Sequence, residues 1–339
     1  MLRDIHGGNI YGRNIILDFS ANINPLGMPE NVKKAVVDAV LGSERYPDPY
    51  CLGLIRKLSV HEKINEENIV CGNGADDLIY RIAHALRPKT AIIMKPTFSE
   101  YSKALHEVGC DVTEYAPENI IDGLSDCVDV LVLCNPNNPT GQLIDDILLK
   151  NICEKCKENK TILLCDECFT DLCKNGNKHS AKQYMNDNTI ILKAFTKTYA
   201  MPGLRLGYAL FGSTEVAEKI RNSGQYWSVS TVAQAAGIAA LDECEYVERA
   251  LDIISAERKY LSEELGKCGF EVYPSDANFI LFRCGIQLDE LLLGEGILIR
   301  NCADYNGLGN GFFRVAVRLH EENEALIDAV RKVTKWRKT

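Results

Sequence analysis

The chain alternates short apolar runs with longer segments whose apolar residues recur every three to four positions. The apolar runs predict strands at 68–71, 90–94, 128–134, 161–165, 189–193 and 206–211. The amphipathic segments predict helices at 75–86, 99–108 and 145–158. Strands that alternate with helices form βαβ units, so we expect an α/β fold: a mostly parallel sheet between two helical layers.

After residue 230 the pattern changes to long helices and shorter strands. It predicts helices at 246–266 and from about 321, and strands at 270–273, 278–282 and 313–317. A length of 339 residues suggests about two domains. We therefore expect an N-terminal arm (1–40), a large domain (41–232) and a C-terminal part (233–339) that forms a smaller α+β domain with the arm.

Composition excludes several functional classes. The longest apolar runs, such as 130–134, fall far below the roughly 18 residues of a membrane span, and no apolar signal segment follows Arg3. The net charge of −9, without a segregated basic face, argues against binding to nucleic acid. The cytoplasm is the expected location.

The fourteen cysteines predict reduced thiols rather than a disulfide framework, because no secretion signal accompanies them. Two C-x-x-C pairs, Cys153/Cys156 and Cys165/Cys168, have the spacing of zinc ligands. The first pair falls on a predicted helix and the second at a strand end, so they do not form matched zinc knuckles. No metal site is predicted.

Unusual polar residues follow five strands of the large domain, and ligands of parallel sheets bind beyond the carboxyl ends of the strands. The five segments are G-N-G-A-D-D (72–77), K-P-T-F-S-E-Y (95–101), N-P-N-N-P-T-G (135–141), D-E-C-F (166–169) and T-K-T-Y-A-M-P-G-L-R-L-G-Y (196–208). We expect them to form one composite site.

Two of these segments suit a phosphate. Residues 72–76 place backbone N–H groups at a helix N-terminus, and Arg205 offers a planar fork to the same anion. The alternatives are a simple turn for the glycines and a surface ion pair for the arginine.

Three further side chains suit an aromatic, cationic cofactor. Asp166 follows a buried run and needs a cationic partner, although it could equally cap a helix. Phe98 can stack on a flat ring or belong to the core. Lys197, among apolar neighbours, would have a lowered pKa and a nucleophilic amine, unless it is a solvated surface lysine. A phosphate site, a stacking ring, an acid and a reactive lysine together match the requirements of pyridoxal 5′-phosphate.

In these motifs the sequence resembles the fold-type I pyridoxal-phosphate enzymes, from about residue 6 to residue 322. The resemblance implies that Asn138 contacts the ring hydroxyl, that Asp166 contacts the ring nitrogen and that Lys197 binds the cofactor aldehyde covalently. Lys193, in K-A-F, mimics the same neighbourhood but lies ten residues before Gly203 instead of six.

The resemblance also implies a cofactor-phosphate site and a homodimer. It assigns the remaining cofactor contacts to Ala75, Asp76, Phe98, Thr196 and Arg205. Tyr46, in R-Y-P-D-P, matches a tyrosine that reaches the cofactor phosphate of a partner subunit. Ala194 departs from the family, which usually has Ser or Thr three residues before the lysine.

Two subfamilies compete for the reaction: threonine-phosphate decarboxylases of cobalamin synthesis and histidinol-phosphate aminotransferases. Four segments resemble the decarboxylases: H-G-G-N (6–9), D-F-S-A-N-I-N-P-L-G (18–27), residues 196–208, and I-L-I-R-N-C-A-D-Y-N-G-L-G (297–309) leading into F-F-R-V-A-V-R (312–318). Phe169 agrees, because the aminotransferases generally have Tyr there. We expect decarboxylation of O-phospho-L-threonine to aminopropanol phosphate, with aminotransfer from histidinol phosphate as the alternative.

The decarboxylase resemblance assigns these residues to the substrate: His6, Gly7, Asn22, Asn138, Arg300 and Arg314. Two arginines suit a substrate that carries both a phosphate and a carboxylate. Arg318, two strand periods beyond Arg314, is expected to face the same side. The segment from His6 to Asp18 is short for the decarboxylases, and without His6 in the pocket the aminotransferase is favoured. The third hypothesis is a non-catalytic protein, either a cofactor-binding regulator or an inert scaffold, which the absence of a basic recognition module disfavours.

Overall fold

The structure, a computed structural model, describes residues 6–125 and 127–335. Its strands are β1 (Leu17–Asp18), β2 (Ile69–Gly72), β3 (Thr90–Met94), β4 (Asp111–Tyr115), β5 (Val130–Cys134), β6 (Ile162–Asp166), β7 (Thr189–Ala194), β8 (Gly207–Phe211), β9 (Glu271–Val272), β10 (Phe279–Arg283), β11 (Ile297–Leu298), β12 (Arg300–Asn301) and β13 (Phe312–Ala316). Its α-helices are α1 (Glu30–Val40), α2 (Leu52–Glu62), α3 (Ala75–Leu86), α4 (Glu100–Glu107), α5 (Ile120–Gly123), α6 (Asp146–Asn159), α7 (Phe195–Thr198), α8 (Thr214–Ser223), α9 (Thr231–Ala240), α10 (Cys244–Lys267), α11 (Leu288–Gly294) and α12 (His320–Lys335). None of these helices is both long enough and apolar enough to cross a membrane.

The large sheet has seven strands within the described residues, in the order β2-β8-β7-β6-β5-β3-β4. Only β8 runs antiparallel to its neighbours. The central strands β5 and β7 are buried along their whole length because helices cover both faces, and two separate apolar clusters lie on the two sides of the sheet. The predicted α/β architecture is confirmed.

The edge strand β4 was not predicted. Its sequence, D-V-T-E-Y, mixes polar and apolar residues, and none of them is fully buried. A half-solvated edge strand lacks the continuous apolar run by which the central strands were recognised.

The smaller domain contains the antiparallel sheet β12-β13-β10-β9, packed against α10, α11 and α12. The N-terminal segment joins it through β1, which pairs in parallel with β11, and through Phe19, which is fully buried in the same apolar cluster. Helices α1 and α9 contact each other, and their buried residues belong to the core of the large sheet. The exact boundaries at residues 40 and 232 stay predictions.

Candidate active site

A cavity of about 360 Å³ lies at the carboxyl ends of β5, β6 and β7, where the large sheet meets the smaller domain. This volume is within the usual range for small-molecule sites. All the predicted site residues except Tyr46 and Arg318 line it: His6, Gly7, Asn22, Ala75, Asp76, Phe98, Asn138, Asp166, Thr196, Lys197, Arg205, Arg300 and Arg314.

Lys197 lies in α7, the short helix that follows β7. Its ammonium group is 5.8 Å from the centre of the Phe169 ring. Within the described residues, no carboxylate forms an ion pair with it. Burial, reinforced by the positive charge of Arg314, lowers the pKa of Lys197 to about 8. More neutral amine is therefore present near neutral pH than on an ordinary lysine, as a nucleophile requires.

Asp166, the last residue of β6, is buried in the pocket wall. Its Oδ2 accepts a hydrogen bond of 2.6 Å from the Tyr101 hydroxyl, and its Oδ1 accepts one of 2.9 Å from the Cys168 backbone N–H. Burial and the charge of Asp166 raise the pKa of Tyr101, so the phenol stays a neutral donor. A carboxylate can accept about four hydrogen bonds, which leaves capacity for a protonated ring nitrogen.

The N-terminus of α3 meets Arg205 at one end of the cavity. Gly74 precedes the helix with a φ of +86°, and a Cβ there would lie 2.6 Å from Nη2 of Arg205. A Cβ on Gly207 would lie 2.6 Å from the backbone nitrogen of Ala75. The two glycines thus leave space for a guanidinium and for free backbone N–H groups, which is the arrangement that binds a phosphate.

Aromatic rings form one wall. The ring centre of Phe98 lies 5.6 Å from that of Tyr101, edge to face, and 5.4 Å from that of His6. His6 therefore reaches the pocket, where its Nε2 lies 2.8 Å from Oε1 of Glu100.

Arg300 and Arg314 lie opposite each other on the paired strands β12 and β13, and both are buried. Arg314 donates to Oδ1 of Asn138 and, at 2.9 Å, to the Ser20 carbonyl. Arg300 donates to both carboxylate oxygens of Asp304, at 2.9 and 2.7 Å. Two buried cations thus share one wall of the cavity.

Two polar atoms in the cavity lack protein partners. Oδ1 of Asn22 and Oδ1 of Asp76 are buried and accept no hydrogen bond within the described residues. Unsatisfied buried acceptors are costly, so they mark places that a ligand is expected to fill. Together with the glycine-lined phosphate site, the lysine and the acid, they fit pyridoxal 5′-phosphate.

Two predicted positions lie outside the cavity. Tyr46 is 77% exposed and stacks on Trp227, with ring centres 4.2 Å apart. The prediction for Arg318 was wrong: β13 ends at Ala316, and the guanidinium turns away to bind Glu322.

The residues lining the cavity that sequence reasoning missed include Glu100, Tyr101 and Tyr305. Glu100 and Tyr101 belong to the K-P-T-F-S-E-Y segment that was singled out for Phe98, and Tyr305 follows Arg300 in its own motif. Their position after a strand end was the available signal, but their side chains were assigned no role.

The C-x-x-C cysteines are buried, and no cluster of three or more potential metal ligands occurs in the ranges 6–125 and 127–335. Burial raises the pKa of Cys153 and of Cys156 to about 12. These thiols pack in the core as protonated, unreactive groups.

Threonine-phosphate decarboxylase from Salmonella typhimurium is 36% identical over 354 aligned positions, which cover 98% of this chain and 97% of that protein. The solved structure of histidinol-phosphate aminotransferase from Clostridium acetobutylicum has a TM-score of 0.88 and 31% identity, covering 94% of this chain and 99% of that one. The histidinol-phosphate aminotransferase of Sinorhizobium meliloti, solved in complex with pyridoxal 5′-phosphate, shares the fold with a TM-score of 0.86 at 23% identity, covering 96% of this chain and 92% of that one.

The family model for aminotransferase class I and II matches residues 14–330. This match confirms both the predicted enzyme class and the predicted cofactor, because that family consists of enzymes that use pyridoxal 5′-phosphate. The chain belongs to the aminotransferase class I and II family.

Proposed function

We propose that this enzyme decarboxylates O-phospho-L-threonine to aminopropanol phosphate, a step of cobalamin synthesis. The observation that carries the proposal is the position of His6, which lies in the same cavity as Arg300 and Arg314. The H-G-G-N segment was the sequence feature that most favoured the decarboxylase. The similarity to the Salmonella typhimurium decarboxylase over 98% of this chain supports the same assignment.

The charges of the cavity suit a substrate with two anionic groups. With Arg205 at the cofactor-phosphate end, Arg300, Arg314 and His6 line the part of the cavity proposed for the substrate. A phosphate carries about −1.5 to −2 charges near pH 7, and a carboxylate adds one more. Binding both groups at fixed positions would orient the bond that is to break at Cα.

Each residue of the cavity has a proposed task in the reaction. Pyridoxal 5′-phosphate, when bound, supplies a covalent link to the substrate amine and withdraws electrons from Cα. Asp166 would keep the ring nitrogen protonated, and Tyr101 holds that carboxylate in place through its 2.6 Å hydrogen bond. Phe98 would pack against the cofactor ring, and Asn138 would contact the ring hydroxyl. Lys197 is the residue that would hold the cofactor aldehyde, and its amine, once free, would be placed to return a proton to Cα.

Phe169 supports decarboxylation over amino transfer. It lies beside Lys197 and packs against Phe279, with ring centres 5.1 Å apart. Its ring offers no hydroxyl to the cofactor, whereas the aminotransferases of this family generally have a tyrosine at the position.

The alternative is a histidinol-phosphate aminotransferase, favoured by the fold and 31% identity of the Clostridium acetobutylicum enzyme. In that reaction Lys197 would move a proton from Cα to the cofactor carbon instead of supplying one to Cα. The same cavity residues would bind the phosphate.

Two parallel assays separate the candidates. Purified holoenzyme is incubated with O-phospho-L-threonine while carbon dioxide is measured, and with histidinol phosphate plus 2-oxoglutarate while glutamate is measured. We expect carbon dioxide and aminopropanol phosphate without any need for a keto acid. Glutamate formation from histidinol phosphate, without carbon dioxide from O-phospho-L-threonine, would reject the decarboxylase.

A homodimer is also part of the proposal. Tyr46 and Trp227 form an exposed aromatic pair next to a second pair, Tyr50 and Tyr226, with ring centres 6.0 Å apart. Such exposed aromatic groups are typical of protein interfaces. Sedimentation equilibrium of the holoenzyme tests this, and a monomer at assay concentrations would contradict it.

A further inference from the structure

Glu100 is a buried acid at the mouth of the cavity that neither the cofactor nor the reaction accounts for. It is the first residue of α4, and its carboxylate accepts four hydrogen bonds. Oε1 accepts from His6 at 2.8 Å, Lys103 at 2.5 Å and Ser99 at 3.5 Å, while Oε2 accepts from Tyr80 at 2.8 Å.

These contacts keep Glu100 ionised. Burial alone would raise the pKa of Glu100, but the hydrogen bonds from Lys103, Tyr80 and His6 lower it below its ordinary value. An ionised carboxylate only accepts hydrogen bonds, so Nε2 of His6 must carry a proton. The Nδ1 atom is the one that remains for a ligand, and it receives no hydrogen bond within the described residues.

The backbone beside His6 is fixed from the other side of the cleft. The Gly8 backbone N–H donates to Oγ of Ser20 at 2.8 Å, and that hydroxyl donates to Asp18 at 2.6 Å. A Cβ on Gly7 would lie 2.1 Å from the Ser20 carbonyl oxygen, so only glycine fits. The same carbonyl accepts from Arg314, which links the H-G-G turn to a substrate-facing arginine.

We propose that Glu100 is a positioning residue that holds His6 as a cationic contact for the phosphate of the substrate. A phosphate oxygen at Nδ1 needs a donor there, and an imidazole that already donates through Nε2 can provide it only when both nitrogens are protonated. The 2.8 Å contact with Glu100 fixes the His6 ring beside Phe98. Because Asp304 partly neutralises Arg300, His6 as a third cation would strengthen the binding of a doubly charged phosphate.

The inference rests on the proposed function only in assuming a phosphorylated substrate. It is tested by titrating holoenzyme with O-phospho-L-threonine or with L-threonine and following the cofactor absorbance. This readout reports binding whether the ligand is decarboxylated, transaminated or left unchanged.

Glu100→Gln keeps the shape of the side chain and one acceptor oxygen but removes the negative charge of the carboxylate. We expect the affinity for O-phospho-L-threonine to fall about tenfold, the size of one charge-assisted hydrogen bond, and the affinity for L-threonine to change less than about twofold. The same change should raise KM and leave kcat within about twofold, as expected for loss of an interaction with a group remote from the bond that breaks. Equal losses for both ligands would overturn the inference.

His6→Asn supplies the coupling test. If Glu100 acts through His6, the double variant with Glu100→Gln loses no more affinity for O-phospho-L-threonine than the weaker-binding single variant. Losses that multiply would show that Glu100 acts independently of His6 and would overturn the inference.

Two controls separate a structural effect from the proposed one. Glu107→Gln removes an exposed acid from the same helix, and Tyr80→Phe removes another hydrogen bond to Glu100 without changing its charge. Both should keep the affinity for O-phospho-L-threonine within about twofold of the parent. A tenfold loss in Tyr80→Phe would mean that packing at Glu100, not its charge on His6, sets the affinity.

The two proposals can fail separately. If carbon dioxide is absent but Glu100→Gln still weakens the phosphorylated ligand selectively, only the decarboxylase assignment fails. If carbon dioxide is released and the selective loss is absent, only the role of Glu100 fails.

Discussion

Two lysines four residues apart, Lys193 in β7 and Lys197 in α7, have opposite surroundings. Lys193 is buried and donates to Asp171 at 2.6 Å. Burial alone would lower the pKa of Lys193, but the charges of Asp171, Glu62 and Glu167 raise it above its ordinary value. Lys197 has no such carboxylate bound to it in the described residues, and its pKa falls to about 8.

The difference in neighbouring carboxylates gives two lysines of one chain different roles, one structural and one reactive. A buried charge is stable only with bound counter-charges, and those counter-charges make it a poor nucleophile. If the roles of Lys193 and Lys197 differ as sharply as their contacts, substitutions at the two positions should affect stability and activity differently.

The largest effect is expected for Lys197→Ala. Removing the amine should lower the turnover of substrate by about 10⁴-fold or more and abolish covalent attachment of the cofactor. The measurements are the initial rate and peptide mapping of borohydride-reduced holoenzyme. A label on Lys193 in the parent enzyme would show that Lys193, and not Lys197, is the reactive amine.

Lys193→Met should act on stability instead. It leaves Glu62, Asp171 and Glu167 without their central cation, so we expect a loss of about 3–5 kcal/mol in the free energy of unfolding. Lys33→Met, which removes an exposed ion pair with Glu30, should cost less than about 1 kcal/mol. Urea unfolding of both variants provides the measurement. Folded Lys193→Met should still bind the cofactor through Lys197, and failure to do so would assign Lys193 a part in the active site.

The sequence distinguished these two lysines by spacing alone, and most of the residues it proposed for the site line one cavity. Residues at the ends of central strands are predictable because burial on both faces produces continuous apolar runs, after which a polar residue such as Asp166 stands out. The glycines before α3 indicated a phosphate site for a related reason, because they lie between the end of a predicted strand and the start of a predicted helix.

Contacts between distant segments were not predictable. The hydrogen bond from Tyr101 to Asp166 joins positions 65 apart, and the contact of His6 with Glu100 joins positions 94 apart. The counter-charges of Lys193 come from Glu62 in α2 and from residues after β6. The periodicity of apolar residues does not determine which acidic side chain contacts which basic one, because those contacts depend on how the sheet and helices pack.

The charge cluster around Lys193 should weaken in acid. Burial alone would raise the pKa of Glu62, but Lys193, Lys182 and Tyr208 lower it from 4.5 to about 2. A carboxylate with a lowered pKa stabilises the fold above its unfolded pKa, and this contribution is lost as the pH falls from 4.5 towards 2. In urea unfolding at several pH values, Glu62→Gln should be less stable than the parent near pH 6, with the difference shrinking below about pH 4. A constant difference would mean that Glu62 is not held ionised by this cluster.

The Lys197 site should show a smaller effect in the same direction, but in an alkaline window of pH. In the apoenzyme the pKa of Lys197 is about 8 against an ordinary value of 10.5. Between these values the unfolded chain binds the proton and the folded chain does not, so stability rises with pH through this window. The rise is smaller than the acid effect at Glu62 because Lys197 is only half-buried at the cavity wall, where water screens its charge. Lys197→Met removes the titrating group, so the free energy of unfolding of the parent minus that of the variant should increase from pH 7.5 to pH 10. A difference that stays flat or falls would show that a carboxylate keeps the Lys197 amine protonated. Lys197 and Lys193 would then both be paired cations.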